Sequence, residues 1–216
     1  MKKALLFDLD NTIYPVSAIA DQLFTSLFNL LDQNSALINQ SDTNTVELIK
    51  EEMTRRPFQH IADKYELDTN IRHQMLQALR QLTYDLPMEP FRDYHQLKNI
   101  PLEKFLVTTG FPKLQFSKIK QLGIADDFKE IIVVDPDQSD RTKKDIFEGI
   151  IAKYNYQPDD LLVIGDDPES EIKAGLALGI ETFLFDPENK HSSNNSTFYS
   201  KYLTDALTII GKTTRN

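Results

Sequence analysis

The chain has 216 residues, 40% hydrophobic and 26% charged, which is enough apolar material for a large core and argues against wholesale disorder. Its 24 Lys and Arg against 33 Asp and Glu leave a net charge of −9, a poor match to a protein that grips nucleic-acid phosphates, and the lack of cysteine removes disulfides, thiolate metal sites and a cysteine nucleophile together. No apolar run approaches the roughly 18 residues of a membrane span, and Asp8 interrupts the apolar stretch behind Met1-Lys2-Lys3 before a signal peptide is complete, so the expectation is a soluble cytoplasmic chain with no nucleic-acid or membrane partner.

In chain order, the first element is a short apolar strand at 4–7 that runs into Asp8. From about 15 to 90 no strand is predicted, only helical patterns. Ile19, Leu23, Leu27 and Leu31 recur every four residues, and Ile71, Met75, Leu79 and Leu82 nearly do. The polar stretch 34–44 reads as a loop among these helices, and Tyr65 and Tyr84 as part of their core. Strands follow at 105–107, 130–134, 161–164 and 181–185, ending at Thr108, Asp135, Gly165-Asp166 and Asp186. Amphipathic helices at 114–122, 144–154 and 169–178 separate them, the last stopped by Gly179. A polar loop at 191–197 and a short helix at 202–210 complete the chain. Short strands apolar on both faces, alternating with helices, predict an α/β fold with a parallel sheet. The 15–90 stretch is too long for a simple crossover, so it is read as an inserted helical domain. That divides the chain into a discontinuous core, 1–14 and 91–216, and the insertion.

In an open parallel sheet, ligands bind at the carboxyl ends of the strands. Three of these strands end in Asp8/Asp10, Thr108/Thr109 and Asp166/Asp167. Clustered carboxylates repel one another and ionise together only beside a cation, and oxygen ligands without cysteine favour Mg²⁺ before Ca²⁺ or a transition metal. His60, His73, His95 and His191 are scattered and none has metal-ligand spacing. Neither a dinucleotide-binding glycine pattern nor a P-loop pattern is present.

Phe7-Asp8-Leu9-Asp10-Asn11-Thr12 resembles the first motif of the haloacid dehalogenase superfamily, Asp-x-Asp-x-Thr after an apolar strand. Val107-Thr108-Thr109-Gly110-Phe111 is similar to the second motif, and Gly165-Asp166-Asp167-Pro168-Glu169-Ser170-Glu171 to the fourth. Arg141-Thr142-Lys143-Lys144 occupies the place of the lysine-bearing third motif, without the proline that usually follows its lysine. The resemblance implies a Rossmann-like core with a helical cap inserted after the first motif. It also implies a phosphatase that hydrolyses a small phosphomonoester, of nucleotide monophosphate or sugar phosphate type, with Mg²⁺. Asp8 would be the nucleophile that forms an aspartyl-phosphate, and Asp10 the general acid and then base. Two residues apart on an extended chain, both would point to one side, with crowding by carboxylates keeping Asp10 protonated at the first step. Asp8, the backbone carbonyl of Asp10 and Asp166 would hold the ion. Thr108 and Lys143 would bind the phosphoryl group, with Lys144 as the alternative lysine. Glu171 stands where the motif usually closes with Asp. It could reach the ion through water, support Lys143 or face solvent, and Asp167 is a second candidate to support that lysine. A dehalogenase, a phosphomutase or a non-catalytic binding module on the same fold are the alternatives, and Asp10 counts against the dehalogenase, which has no need of it.

Overall fold

The computed structural model describes residues 2–38, 44–54 and 56–212. Its centre is a six-stranded parallel sheet flanked by helices, the α/β Rossmann-like architecture expected. The strands are β1 (Ala4–Phe7), β2 (Glu103–Thr109), β3 (Glu130–Val134), β4 (Leu161–Gly165), β5 (Glu181–Phe185) and β6 (Phe198–Ser200), in the sheet order β3-β2-β1-β4-β5-β6. The first five coincide with the apolar runs of the sequence. The sixth, three half-buried residues at the sheet edge, lacks an apolar run and falls where no strand was predicted.

Alternation along the strands sorts the two faces. Leu5, Phe7, Leu106, Leu162 and Ile164 turn to one core, shared with the helices that lie between β1 and β2 and with α7 (Pro112–Leu122). Ala4, Leu6, Phe105, Val107 and Val163 turn to the other, shared with α8 (Lys143–Tyr154) and α9 (Lys173–Ala177). This parity later decides which helix meets which catalytic candidate.

Between β1 and β2, the described residues form α1 (Ala20–Gln33), α2 (Ser35–Ile38), α3 (Thr45–Met53), α4 (Phe58–Lys64), α5 (Thr69–Gln81) and α6 (Tyr94–Lys98), with no strand among them. The predicted leucine and isoleucine repeats are the buried stripes of α1 and α5. The expected loop at 34–44 is corrected in part, because Ser35–Ile38 forms a helical turn; residues 39–43 lie outside those described. The last element among the described residues is α10 (Ala206–Lys212). Gly179, at φ +71°, supplies the left-handed residue that ends the segment after α9. Among the described residues no helix is long and apolar enough to cross a membrane.

Candidate active site

β1 lies between β2 and β4, so the strand order reverses there, and the carboxyl end of β1 is the switch point at which parallel sheets bind their ligands. Asp8 is the first residue past β1, and parity with Ala4 and Leu6 sends its side chain toward α8. That helix begins with a capping box: the Asp145 carboxylate accepts from Thr142 N at 2.6 Å, and the Thr142 hydroxyl accepts from Asp145 N at 3.4 Å. The box fixes Lys143 as the first helical residue, aimed back at the sheet. Its Nζ donates to Asp8 Oδ1 at 2.5 Å and to Glu171 Oε2 at 2.7 Å. Asp166, the first residue past β4, accepts from the Thr12 hydroxyl at 3.2 Å. Carboxylate oxygens of Asp8, Asp166 and Glu171 all lie within 4.8 Å of one another.

Three acids and one ammonium leave this group short of positive charge. Burial pushes the Asp8 carboxyl up from the usual 3.8 to about 7; Lys143 opposes the rise, and Glu171 and Asp10 add to it. Asp166 is raised well above its ordinary value by burial, then by Glu171 and Asp8. Burial works against the charged form of Lys143, but Asp8 and Glu171 outweigh it and hold the ammonium firmly protonated.

Glu171 reaches this position through an irregular turn. Residues Pro168–Ile172 form a π-helical turn in which Ser170 adopts φ −108° and ψ −106°, outside helical values. The turn lays the Glu171 side chain over the end of β4, where Oε1 accepts from Asp167 N at 2.8 Å. A Cβ at Gly165 would fall 2.1 Å from Glu171 Oε1, so only glycine fits beneath this carboxylate. Gly165→Ala is therefore expected to displace Glu171 from Lys143, lowering stability by about 1–3 kcal/mol, as overpacking does. A thermal melt read beside turnover checks this: an unchanged melt with full activity would contradict the close packing.

Asp10 departs from the expectation. The extended chain ends at Phe7, and Thr12 N and Ile13 N both turn back to donate to Leu9 O. Two of the donors to the Asp10 oxygens come from α7, on the opposite face of the sheet from α8. Lys118 Nζ donates to Oδ1 at 2.8 Å, Gln115 Nε2 donates to Oδ2 at 2.9 Å, and the Tyr14 hydroxyl donates to Oδ1. Burial raises the Asp10 carboxyl, but the Lys118 charge and the three donors more than reverse it and hold the group below the ordinary carboxylate range. The reading that neighbouring acids keep Asp10 protonated is thus corrected: its immediate neighbours are donors, one of them cationic. Its carboxylate also stands outside the Asp8–Asp166–Glu171 group.

The haloacid dehalogenase-like hydrolase family matches residues 2–179 of the chain. The chain belongs to that family. It is similar to the putative HAD-hydrolase YfnB of Bacillus subtilis, 23% identical over 204 residues that cover 87% of this chain and 86% of YfnB. The solved structure of YfnB bound to magnesium shares the fold, with a TM-score of 0.58 at 21% identity, covering 97% of this chain and 98% of that one. Glyceraldehyde 3-phosphate phosphatase of Methanopyrus kandleri is 21% identical over 193 residues, covering 84% of this chain and 83% of that protein. Pyrimidine 5'-nucleotidase PynA of Streptococcus pneumoniae is 23% identical over 239 aligned positions, covering 97% and 95%.

The remaining candidates of this HAD-like hydrolase fall as follows. Thr108 shares parity with Leu106 and so faces α7, where its hydroxyl oxygen accepts from Gln115 Nε2 at 2.7 Å. Lys144 is exposed and pairs with Glu148. Asp167 caps the π-turn by accepting from Glu169 N, while Lys143 takes its support from Glu171. All four histidines are exposed. Gln115, Lys118 and Tyr14 were not among the sequence candidates. A signal pointed to Lys118 alone: Leu114, Lys118 and Leu122 repeat every four residues, which puts a lysine in a row of core positions.

Proposed function

We propose that this hydrolase is a Mg²⁺-dependent phosphatase that cleaves a small phosphomonoester, of nucleotide monophosphate or sugar phosphate type, through an aspartyl-phosphate on Asp8. The observation that carries this reading is the meeting of Asp8, Asp166 and Glu171 around Lys143 at the carboxyl ends of β1 and β4, with Asp10 alongside. The phosphatase and nucleotidase names of the relatives, and the magnesium in the YfnB structure, support the same class.

The donor set suits a hard ion, since it is all oxygen and carries more acid than its one lysine balances. Asp8 and Asp166 would hold Mg²⁺, with the backbone carbonyl of Asp10 as the family resemblance implies. When bound, Mg²⁺ supplies charge that neutralises the phosphoryl oxygens and screens Asp8 from them. Asp8 then attacks phosphorus, and the bond to the leaving oxygen breaks. Lys143 fixes one Asp8 oxygen and leaves the other to attack. The Thr108 hydroxyl accepts from Gln115 and so keeps its own hydrogen for a phosphoryl oxygen. A phosphomonoester dianion beside Asp10 favours the protonated carboxyl, which gives its proton to the leaving oxygen. Asp10 afterwards takes a proton from the water that attacks the aspartyl-phosphate, and the Asp8–phosphorus bond breaks.

Residues 15–90 are read as a cap over this site. Phe91 N donates to Ile13 O at 2.7 Å, which supports a segment that leaves and rejoins the core at one point. A cap so tethered favours a small soluble ester over a folded phosphoprotein and excludes bulk water during the reaction. The test is a panel of phosphate esters assayed with Mg²⁺ and with EDTA. Hydrolysis of at least one nucleotide monophosphate or sugar phosphate, lost in EDTA and restored by Mg²⁺, is expected. Turnover indifferent to EDTA, or a preference for protein-bound phosphate, would overturn the reading.

A further inference from the structure

Both oxygens of Asp10 accept hydrogen bonds, but they are claimed unequally. A carboxylate oxygen has about two lone-pair positions. Oδ1 accepts from Lys118 and from the Tyr14 hydroxyl, so both of its positions are taken. Oδ2 accepts from Gln115 alone, which leaves one position open. Lys118 is 4% exposed and Gln115 1%, both anchored on α7 among core residues, so neither donor can swing away. The Lys118 ammonium also lies 5.8 Å from the centre of the Tyr14 ring, which packs the two Oδ1 donors against each other.

We infer that Lys118 is a positioning residue for the reaction. With Tyr14 it saturates Asp10 Oδ1 and, with Gln115 on the other oxygen, locks the carboxylate so that Oδ2 alone exchanges the proton. This rests on the phosphatase reading and deepens it. In the first half-reaction the Asp8–phosphorus bond forms, the bond to the leaving oxygen breaks, and that oxygen takes the proton from Oδ2. In the second, the attacking water returns a proton to Oδ2 as the Asp8–phosphorus bond breaks. Without Lys118 each oxygen keeps a single donor and one open position, so the proton is no longer confined to Oδ2, and proton delivery to the leaving oxygen suffers before anything else does.

Proton delivery matters in proportion to the basicity of the leaving group, which gives a readout that a merely structural role does not move. The experiment measures kcat/KM, which reports events up to leaving-group departure, for aryl phosphates of rising leaving-group basicity from 4-nitrophenyl to phenyl phosphate. Lys118→Met is expected to lose no more than about threefold on the 4-nitrophenyl ester but about 30-fold or more on the phenyl ester, within the range of general acid catalysis. Lys118→Arg keeps a cationic donor and should keep a slope close to the parent's. Tyr14→Phe deletes one Oδ1 donor while retaining the ring, so it should also steepen the slope, by less; if Lys118→Met fails to fold, this variant decides. A uniform loss across the series, with the slope unchanged in the variants, would overturn the inference. A parent enzyme that cleaves none of the esters would instead overturn the phosphatase reading itself.

Discussion

Asp8→Asn is expected to lower turnover by at least about 10³-fold, because an amide oxygen is a poor nucleophile and a neutral ligand. The fold should survive the change. Burial already works against the charged form of Asp8, raising its carboxyl to about 7, so a neutral isostere costs the buried site little. Lys143 keeps Glu171 at 2.7 Å and is not left as an unpaired buried charge. A thermal transition at or slightly above the parent's, beside lost activity, is the expected pair of results. Residual activity within about tenfold of the parent would remove Asp8 from the nucleophile's role.

Lys143→Met should have the second largest effect, and on stability the largest. It removes the ammonium bonded to both Asp8 and Glu171, and breaking a buried ion pair typically costs about 3–5 kcal/mol. The cost depends on pH in a fixed direction. Asp8 titrates higher in the folded protein than in the unfolded chain, so between 3.8 and about 7 the folded state binds more protons and stability falls as pH rises. Without Lys143, which opposes that rise, the carboxyl climbs further and the loss extends to higher pH. Melts of the metal-free variant should therefore improve as pH is lowered from 8 towards 5, by more than the parent's do. Added Mg²⁺ should recover part of the loss at neutral pH, since a cation can replace the missing charge. Turnover should fall by about 10²-fold or more, as it does when a single charge-stabilising donor is lost. Lys144→Met serves as the contrast: its exposed pair with Glu148 should leave stability within about 0.5 kcal/mol of the parent. Equal effects at the two positions would sink the assignment of Lys143.

The sheet was legible because burial on both faces writes itself as continuous apolar runs, and their ends marked Asp8, Thr108 and Asp166. Lys143 ranked ahead of Lys144 only because the helix carrying Phe147 was read to start there. What distinguishes them is the capping box at Thr142, which sets the phase of the helix and so selects the residue that faces the sheet. Glu171 was ambiguous for another reason. Its contact with Lys143 depends on a π-helical turn and on the missing Cβ of Gly165, and a helix drawn with regular periodicity hides both. The protonation of Asp10 was misread because two of its three donors, Gln115 and Lys118, sit more than 100 residues away on α7. β6 has too little apolar character to signal a strand.

In the proposed reaction a phosphoryl group passes through Asp8. Acid quenching during turnover of a cleaved ester, followed by proteolysis and mass spectrometry, reads this directly. A phosphorylated peptide is expected whose modification maps to Asp8, accumulates further when Asp10→Asn slows the second half-reaction, and is absent from Asp8→Asn. Phosphate released at full rate while the phosphoryl group is found on another residue would contradict it.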